Sequence, residues 1–289
     1  MAEYNTDELK KVQEINVKMA KFFVGFCQEH QLLCYFCGGG CIGTVRGKGF
    51  IPWDDDLDFF MPRDDYERLK REWNDTDRYV LRFPTKDYND HGMFTTLRDK
   101  NTTMIKPYQA DMDIVHGITI DIFPLDGCPS SVFARKMQLI WALVYHIFCA
   151  QVVPTNHGKA VQTIGKIILG VFRSKNLRYY IWKLAEKNMS KYSIQRCKYI
   201  TELCAGPKYM HLQYPKEYFE KAIMMDFEDT QMPIPVGYDG YLRMAFGDYM
   251  KLPPEEQRVP SHDAFIDADK PYQTYKGIQY CINDKKVSM

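Results

Sequence analysis

The sequence has almost no net charge. Its 38 Lys and Arg stand against 37 Asp and Glu, leaving +1 at neutral pH. A chain balanced in this way has no global basic field to gather a polyanion, which counts against RNA or DNA as its partner. It also lacks an apolar run of the roughly 20 residues that a membrane-spanning helix needs. The most apolar stretch, Met137 to Val153, stops short of that and is closed by Pro154. The opening, MAEYNTDELKK, is polar and acidic and has no leader character. The nine cysteines are odd in number and irregular in spacing, so they predict reduced thiols in a cytoplasmic protein, not a disulfide framework. Cys34, Cys37 and Cys41 have no matching second pair nearby and read as buried structural thiols, not as a zinc site. Repeats, low-complexity tracts and obvious linkers are absent, so residues 1–289 are read as a single domain. With 45% hydrophobic and 26% charged residues, the chain has the apolar material for an ordinary core.

What is present is concentrated in residues 37–66, CGGGCIGTVRGKGFIPWDDDLDFFMPRDDY. Leu33 to Cys37 reads as a short apolar strand running into Gly38-Gly39-Gly40. Glycine there lets backbone N–H groups approach an anion with no Cβ in the way. Cys41 to Arg46 then opens a short helix, whose N-terminal end also favours phosphate. If Leu57-Asp58-Phe59-Phe60 is a strand, alternation puts Asp56 and Asp58 on one face. Two adjacent carboxylates repel each other unless a cation neutralises them, and Mg2+ carrying phosphate oxygens is the natural choice, with Mn2+ as the alternative. Asp54-Asp55-Asp56 alone is equally a solvated turn. The glycines, the basic residues and the carboxylate pair occurring in order favour a metal–phosphate site. Arg46 and Lys48 lie between glycines and carboxylates, where phosphate charge needs a partner. No Gly-Lys-Ser/Thr follows the glycines, so this is no P-loop, nor is it a GxGxxG fingerprint.

A third carboxylate lies in His116–Gly127, where Asp121 interrupts an isoleucine-rich run. An acid inside a buried strand is costly unless its charge is compensated, and a cation shared with Asp56 and Asp58 would do so. A strand-end Asp facing water, with Pro124 close behind, is the plainer alternative. Arg98 is a further candidate for phosphate contact, although a turn between two strands, with solvated charges at its tip, explains Thr95–Thr102 as well.

Gly38-Gly39, then Gly43-Thr44-Val45-Arg46, then Gly49-Phe50-Ile51-Pro52-Trp53-Asp54-Asp55-Asp56-Leu57-Asp58 together resemble the signature of the LicD family. That family comprises phosphocholine transferases of bacterial surface polysaccharides and relatives of the fukutin-related ribitol-phosphate transferases. The likeness extends to Ile120–Asp126 and to a C-terminal block around Met232–Pro235, Tyr238–Leu242 and Gly247–Pro254, whereas residues 130–195 match poorly. The resemblance implies an α+β fold, a nucleotidyltransferase-like mixed sheet with flanking helices and a helical insertion at about residues 130–195. It implies Asp56, Asp58 and Asp121 as metal ligands, with Asp58, Asp121 and Arg46 catalytic and Asp121 either the third ligand or the base. Gly38, Gly39, Gly40, Arg46, Lys48, Trp53 and Arg98 become the substrate-binding set, and Asp126 a turn residue. Gly40 stands where members of the family often carry Ser or Thr, which removes a hydroxyl from the phosphate grip. The implied reaction moves phosphocholine from CDP-choline, or another alcohol phosphate from CDP-ribitol or CDP-glycerol, to a glycan hydroxyl. The acceptor would be a teichoic acid, capsule or lipopolysaccharide precursor, including lipid-linked forms, at the inner face of the plasma membrane. A true nucleotidyltransferase is the rival within the enzyme class. A non-catalytic, membrane-associated glycan-binding protein is the rival outside it, and the intact Asp56, Asp58 and Asp121 set counts against it.

Around these motifs, periodicity predicts a helix from Thr6 to His30, with an apolar stripe of Leu9, Val12, Ile15, Met19, Phe22, Phe23 and Phe26. A charged helix is expected from Asp64 to Trp73. Strands are expected near Tyr79–Phe83, Met93–Leu97, Thr102–Ile105 and Tyr199–Cys204. Residues 137–172 read either as core helices or as an amphipathic pair making a peripheral contact with an anionic membrane. His262 reads as a structural or exposed histidine.

Overall fold

The structure, a computed structural model, describes residues 6–152, 165, 167–260 and 262–282. It begins with helix α1 (Thr6–Glu29), strand β1 (Tyr35–Cys37), helix α2 (Gly38–Gly47), strand β2 (Asp58–Pro62) and helix α3 (Arg63–Glu72). Strands β3 (Tyr79–Arg82), β4 (Thr95–Asp99), β5 (Thr103–Ile105) and β6 (Thr119–Cys128) follow. Helices α4 (Val132–Ala150) and α5 (Lys175–Met189) precede β7 (Tyr199–Glu202) and β8 (Tyr214–Pro215). The chain ends in β9 (Ala222–Phe227), β10 (Thr230–Pro235), α6 (Tyr238–Phe246) and β11 (Phe265–Asp267). The architecture is mixed α and β.

Two compact units result. One comprises Met1–Arg82, Thr96–Ile122 and Glu217–Met289; the other comprises Phe83–Thr95 and Phe123–Lys216. In the first, the strand order is β1-β2-β6-β4-β3, with β1 antiparallel to β2 and β3 to β4. Two small antiparallel ribbons, β9-β10 and β5-β11, complete it. Helix α1 covers this sheet because its apolar stripe recurs at the helical period: Val12, Met19 and Phe23 are fully buried, and the Phe23 ring meets Phe59 of β2 at 4.9 Å. Burying each such side chain stabilises the fold by about 1.5–3 kcal/mol. Phe36 continues the aromatic layer, 4.7 Å from Phe59 and 5.1 Å from Phe227.

In the second unit, α4 and α5 enclose Ala142, Tyr145, Phe148, Trp182 and Met189 together with Leu203 and Met210. The last four residues of β6 pair antiparallel with β7. Both helices start on a serine cap: Ser131 accepts from the Ala134 N–H and Ser174 from the Leu177 N–H.

Three local expectations change. Helix α2 starts at Gly38 itself, not after the glycines, with Gly38 at φ +53°, a backbone angle that glycine adopts freely. Strand β6 runs through Pro124 to Cys128, so Asp121 is not at a strand end. Asp126, expected in a turn, is instead buried within β6 opposite Thr201. Of the second apolar segment, Lys159–Phe172, residues 159–164 and 166 lie outside the described residues.

Candidate functional site

The Asp54–Asp58 loop is held in place by α1. Gln13 donates from Nε2 to the Asp54 carbonyl at 2.8 Å, and Asn16, one turn further on, donates to the Asp55 carbonyl at 3.0 Å. Asn16 is a fully buried polar residue on an otherwise apolar face, and pinning the loop is what it does there. Across the strand pair, Cys37 stands opposite Asp58, so the end of β1 and the start of α2 lie directly against the cluster. A Cβ on Gly38 would sit 3.4 Å from Asp58 Oδ2, and one on Gly39 would overlap Asp54 Oδ2. Gly39 therefore makes room for a protein carboxylate. The Gly38 N–H, expected to meet phosphate, donates instead to the Tyr241 hydroxyl at 3.1 Å.

Strand β6 delivers the third acid. Ile120 and Ile122 are fully buried on one side, and alternation turns Asp121 to the other. Its N–H donates to the Leu57 carbonyl at 3.2 Å, which places it beside the loop. Asp56, Asp58 and Asp121 thus lie close enough to act on one another, with Asp54 added. Burial, then the charges of Asp56, Asp121 and Asp54, push the Asp58 carboxyl well above its usual range, with Lys106 opposing. Burial and the neighbouring Asp56 and Asp55 push Asp54 up to about 8. Asp56 is also raised, by burial first, with His262 opposing. The Asp121 Oδ1 atom is buried without a hydrogen-bond partner. An orphaned carboxylate oxygen amid like charges and hard oxygen donors is what a divalent cation such as Mg2+ would satisfy.

His262 enters from far down the chain. Asp55, fully buried, receives the His262 backbone N–H at 3.3 Å, and its Oδ1 lies 3.2 Å from Nδ1. Asp56 Oδ2 is 3.7 Å from the same nitrogen. These three side chains form a compact set of metal-ligating groups. Burial pulls the imidazole down, but the hydrogen bond to Asp55 and the charges of Asp56 and Asp55 outweigh burial and Lys106, so its pKa is raised.

The basic candidates fare differently. Arg46 is half-buried, and its guanidinium donates to the Tyr249 carbonyl at 3.3 Å. Lys48 turns outward to Asp226 at 3.0 Å. Arg98 is buried in β4, donating to Thr96 Oγ1 at 2.9 Å and to the Val115 carbonyl at 2.6 Å. Trp53 has the Arg258 guanidinium 5.7 Å from its ring centroid. Lys106, directly after β5, is the cation that acts on both Asp58 and His262. Neither Lys106 nor His262 carries a local pattern that singles it out in the sequence.

Residues 32–133 match the family described as LicD/FKTN/FKRP, nucleotidyltransferase domain. Over that stretch the chain is similar to the LicD family. Lipopolysaccharide cholinephosphotransferase LicD of Haemophilus influenzae is 29% identical over 276 residues, covering 89% of this chain and 98% of that protein. The LicD-family match contains the glycines, Asp54 to Asp58, Lys106 and Asp121, whereas His262 lies beyond it.

Proposed function

We propose that this protein transfers phosphocholine from CDP-choline to a hydroxyl of a lipopolysaccharide-type glycan precursor, in the cytoplasm at the inner face of the membrane. A divalent cation, Mg2+ or Mn2+, would be held by Asp56, Asp58 and Asp121. The observation that carries this reading is the convergence of Asp54, Asp56, Asp58 and Asp121, with one buried carboxylate oxygen left unpaired. The likeness to the Haemophilus influenzae cholinephosphotransferase supplies the substrate class. When bound, the cation would polarise the phosphoryl group and offset charge on the departing CMP.

The chain's own residues would do the rest. Asp121, where it is not committed to the cation, takes the proton of the acceptor hydroxyl. The acceptor oxygen bonds to the phosphorus bearing choline as the bond to CMP breaks, so one phosphodiester forms and CMP leaves. Lys106 and Arg46 face the phosphate charge. Asp55 fixes the His262 ring beside the carboxylates. Trp53 offers its ring to the quaternary ammonium in exchange for Arg258.

Incubation of the purified chain with CDP-choline, CDP-ribitol or CDP-glycerol and a lipopolysaccharide acceptor tests this. Release of CMP with choline phosphate on the glycan is the expected result. Nucleotide on the acceptor with free phosphocholine would make the protein a nucleotidyltransferase. Calorimetric Mg2+ binding, reduced in Asp58→Asn, tests the cation separately.

A further inference from the structure

Helix α4 is apolar on two sides. Its inner side contributes Ala142, Tyr145, Phe148 and Cys149 to the core of the second unit. Its outer side, at helical spacing, carries Phe133, Lys136, Ile140 and Leu143, with Phe133 75% exposed and Ile140 50%. Helix α5, packed against it, has its own exposed row of Leu177, Tyr180 and Leu184, with Tyr180 61% exposed. A surface helix ordinarily turns a polar face outward, and one that is apolar all round is covered by something. Single exposed apolar residues are commonplace, but rows on two packed helices are not.

Charge identifies the cover. Ten of the 38 Lys and Arg lie in residues 130–192 but only one of the 37 Asp and Glu, an excess of nine along the sequence; Arg135 is buried, whereas Lys136, Arg173, Lys175, Lys183, Lys187 and Lys191 are exposed. Lys136 stands within the α4 row, and Lys175, Lys183 and Lys187 lie along α5. The lone acid, Glu186, is paired with Lys183. A second copy of this chain would bring the same positive excess against itself. An anionic bilayer supplies both what the apolar rows and what the cations require: the rings and aliphatic side chains enter the headgroup boundary while the lysines reach lipid phosphates. Among the described residues no helix is long and apolar enough to cross a membrane.

We propose that the outward faces of α4 and α5 dock the protein on an anionic lipid surface, lying on it and not spanning it. Such docking suits a lipid-linked acceptor without depending on one. The test is flotation of the full chain with vesicles of phosphatidylcholine alone or containing about one-third phosphatidylglycerol. Wild type is expected to float with the anionic vesicles, less with neutral ones, and less in high salt. The Phe133→Asp/Ile140→Asp variant, with folding checked by circular dichroism, should lower partitioning at least about tenfold. Lys136→Gln and Lys187→Gln should each lower it about fivefold. Absence of wild-type binding, or variants that bind like wild type, would overturn the proposal. So would a dimer that these variants dissociate and that ignores vesicles, since the face would then be a contact between copies. No donor or acceptor enters the flotation assay, so its failure leaves the transferase reading untouched.

Discussion

At Asp58, burial and three neighbouring carboxylates oppose ionisation. Replacing it with its neutral amide therefore removes repulsion along with a ligand. Asp58→Asn is expected to raise stability in chelator, to lose stabilisation by Mg2+, and to lower transfer about a thousandfold. Thermal unfolding with and without Mg2+, alongside turnover, checks all three. At Gly39 the argument is steric. A Cβ there overlaps Asp54 Oδ2, so Gly39→Ala should displace the carboxylate and cost about a hundredfold in turnover; undiminished activity would contradict this placement. The meeting of Asp56, Asp58 and Asp121 is legible in the sequence because a strand alternation and an acid among isoleucines are local signals. Lys106 and His262 are not legible. His262 lies 207 residues from Asp55 and carries no pattern of its own. Lys48 and Arg98 are charged and close to the motif in sequence, but only the fold reveals that Lys48 is paired with Asp226 and that Arg98 is bonded within its own sheet region.

Helix α1 connects packing to the site through Gln13 and Asn16. Asn16→Ala removes the donor to the Asp55 carbonyl and is expected to cost about 1–3 kcal/mol, measured by urea unfolding. Mg2+ affinity should fall with it, because the loop that carries Asp55 and Asp56 loses an anchor. Elements with a clear period or charge pattern, such as α1 and α3, are readable from the sequence to within a few residues. The start of α2 is not, since glycine runs usually mark turns, and here one begins a helix, with the Asp54 carboxylate pressed against Gly39. Nor is the passage of β6 through Pro124, where neighbouring strands override the local tendency of proline to end pairing.

For the whole molecule, a pH dependence of stability follows from Glu202. Burial outweighs its hydrogen bond from Tyr214 and pushes its pKa from 4.5 to about 7. The folded state thus holds this proton more tightly than the unfolded chain. The associated stability is complete below about pH 4.5 and is lost as pH rises through about 7, a change of roughly 3 kcal/mol. Glu202→Gln should remove this component, leaving the variant more stable than wild type at pH 8 and similar to it near pH 4.5, as urea midpoints would show. The charge distribution belongs to the same scale: an excess of nine in residues 130–192 is hidden by a total of +1, so overall composition conceals the basic character of that segment. The central claim is that the carboxylate cluster binds a CDP-alcohol through a divalent cation. Calorimetric titration of the wild-type chain and Asp58→Asn with CDP-choline, with and without Mg2+, tests it most directly. The account predicts binding by wild type only in the presence of Mg2+ and none by the variant; equal binding by both proteins, or binding indifferent to Mg2+, would contradict it.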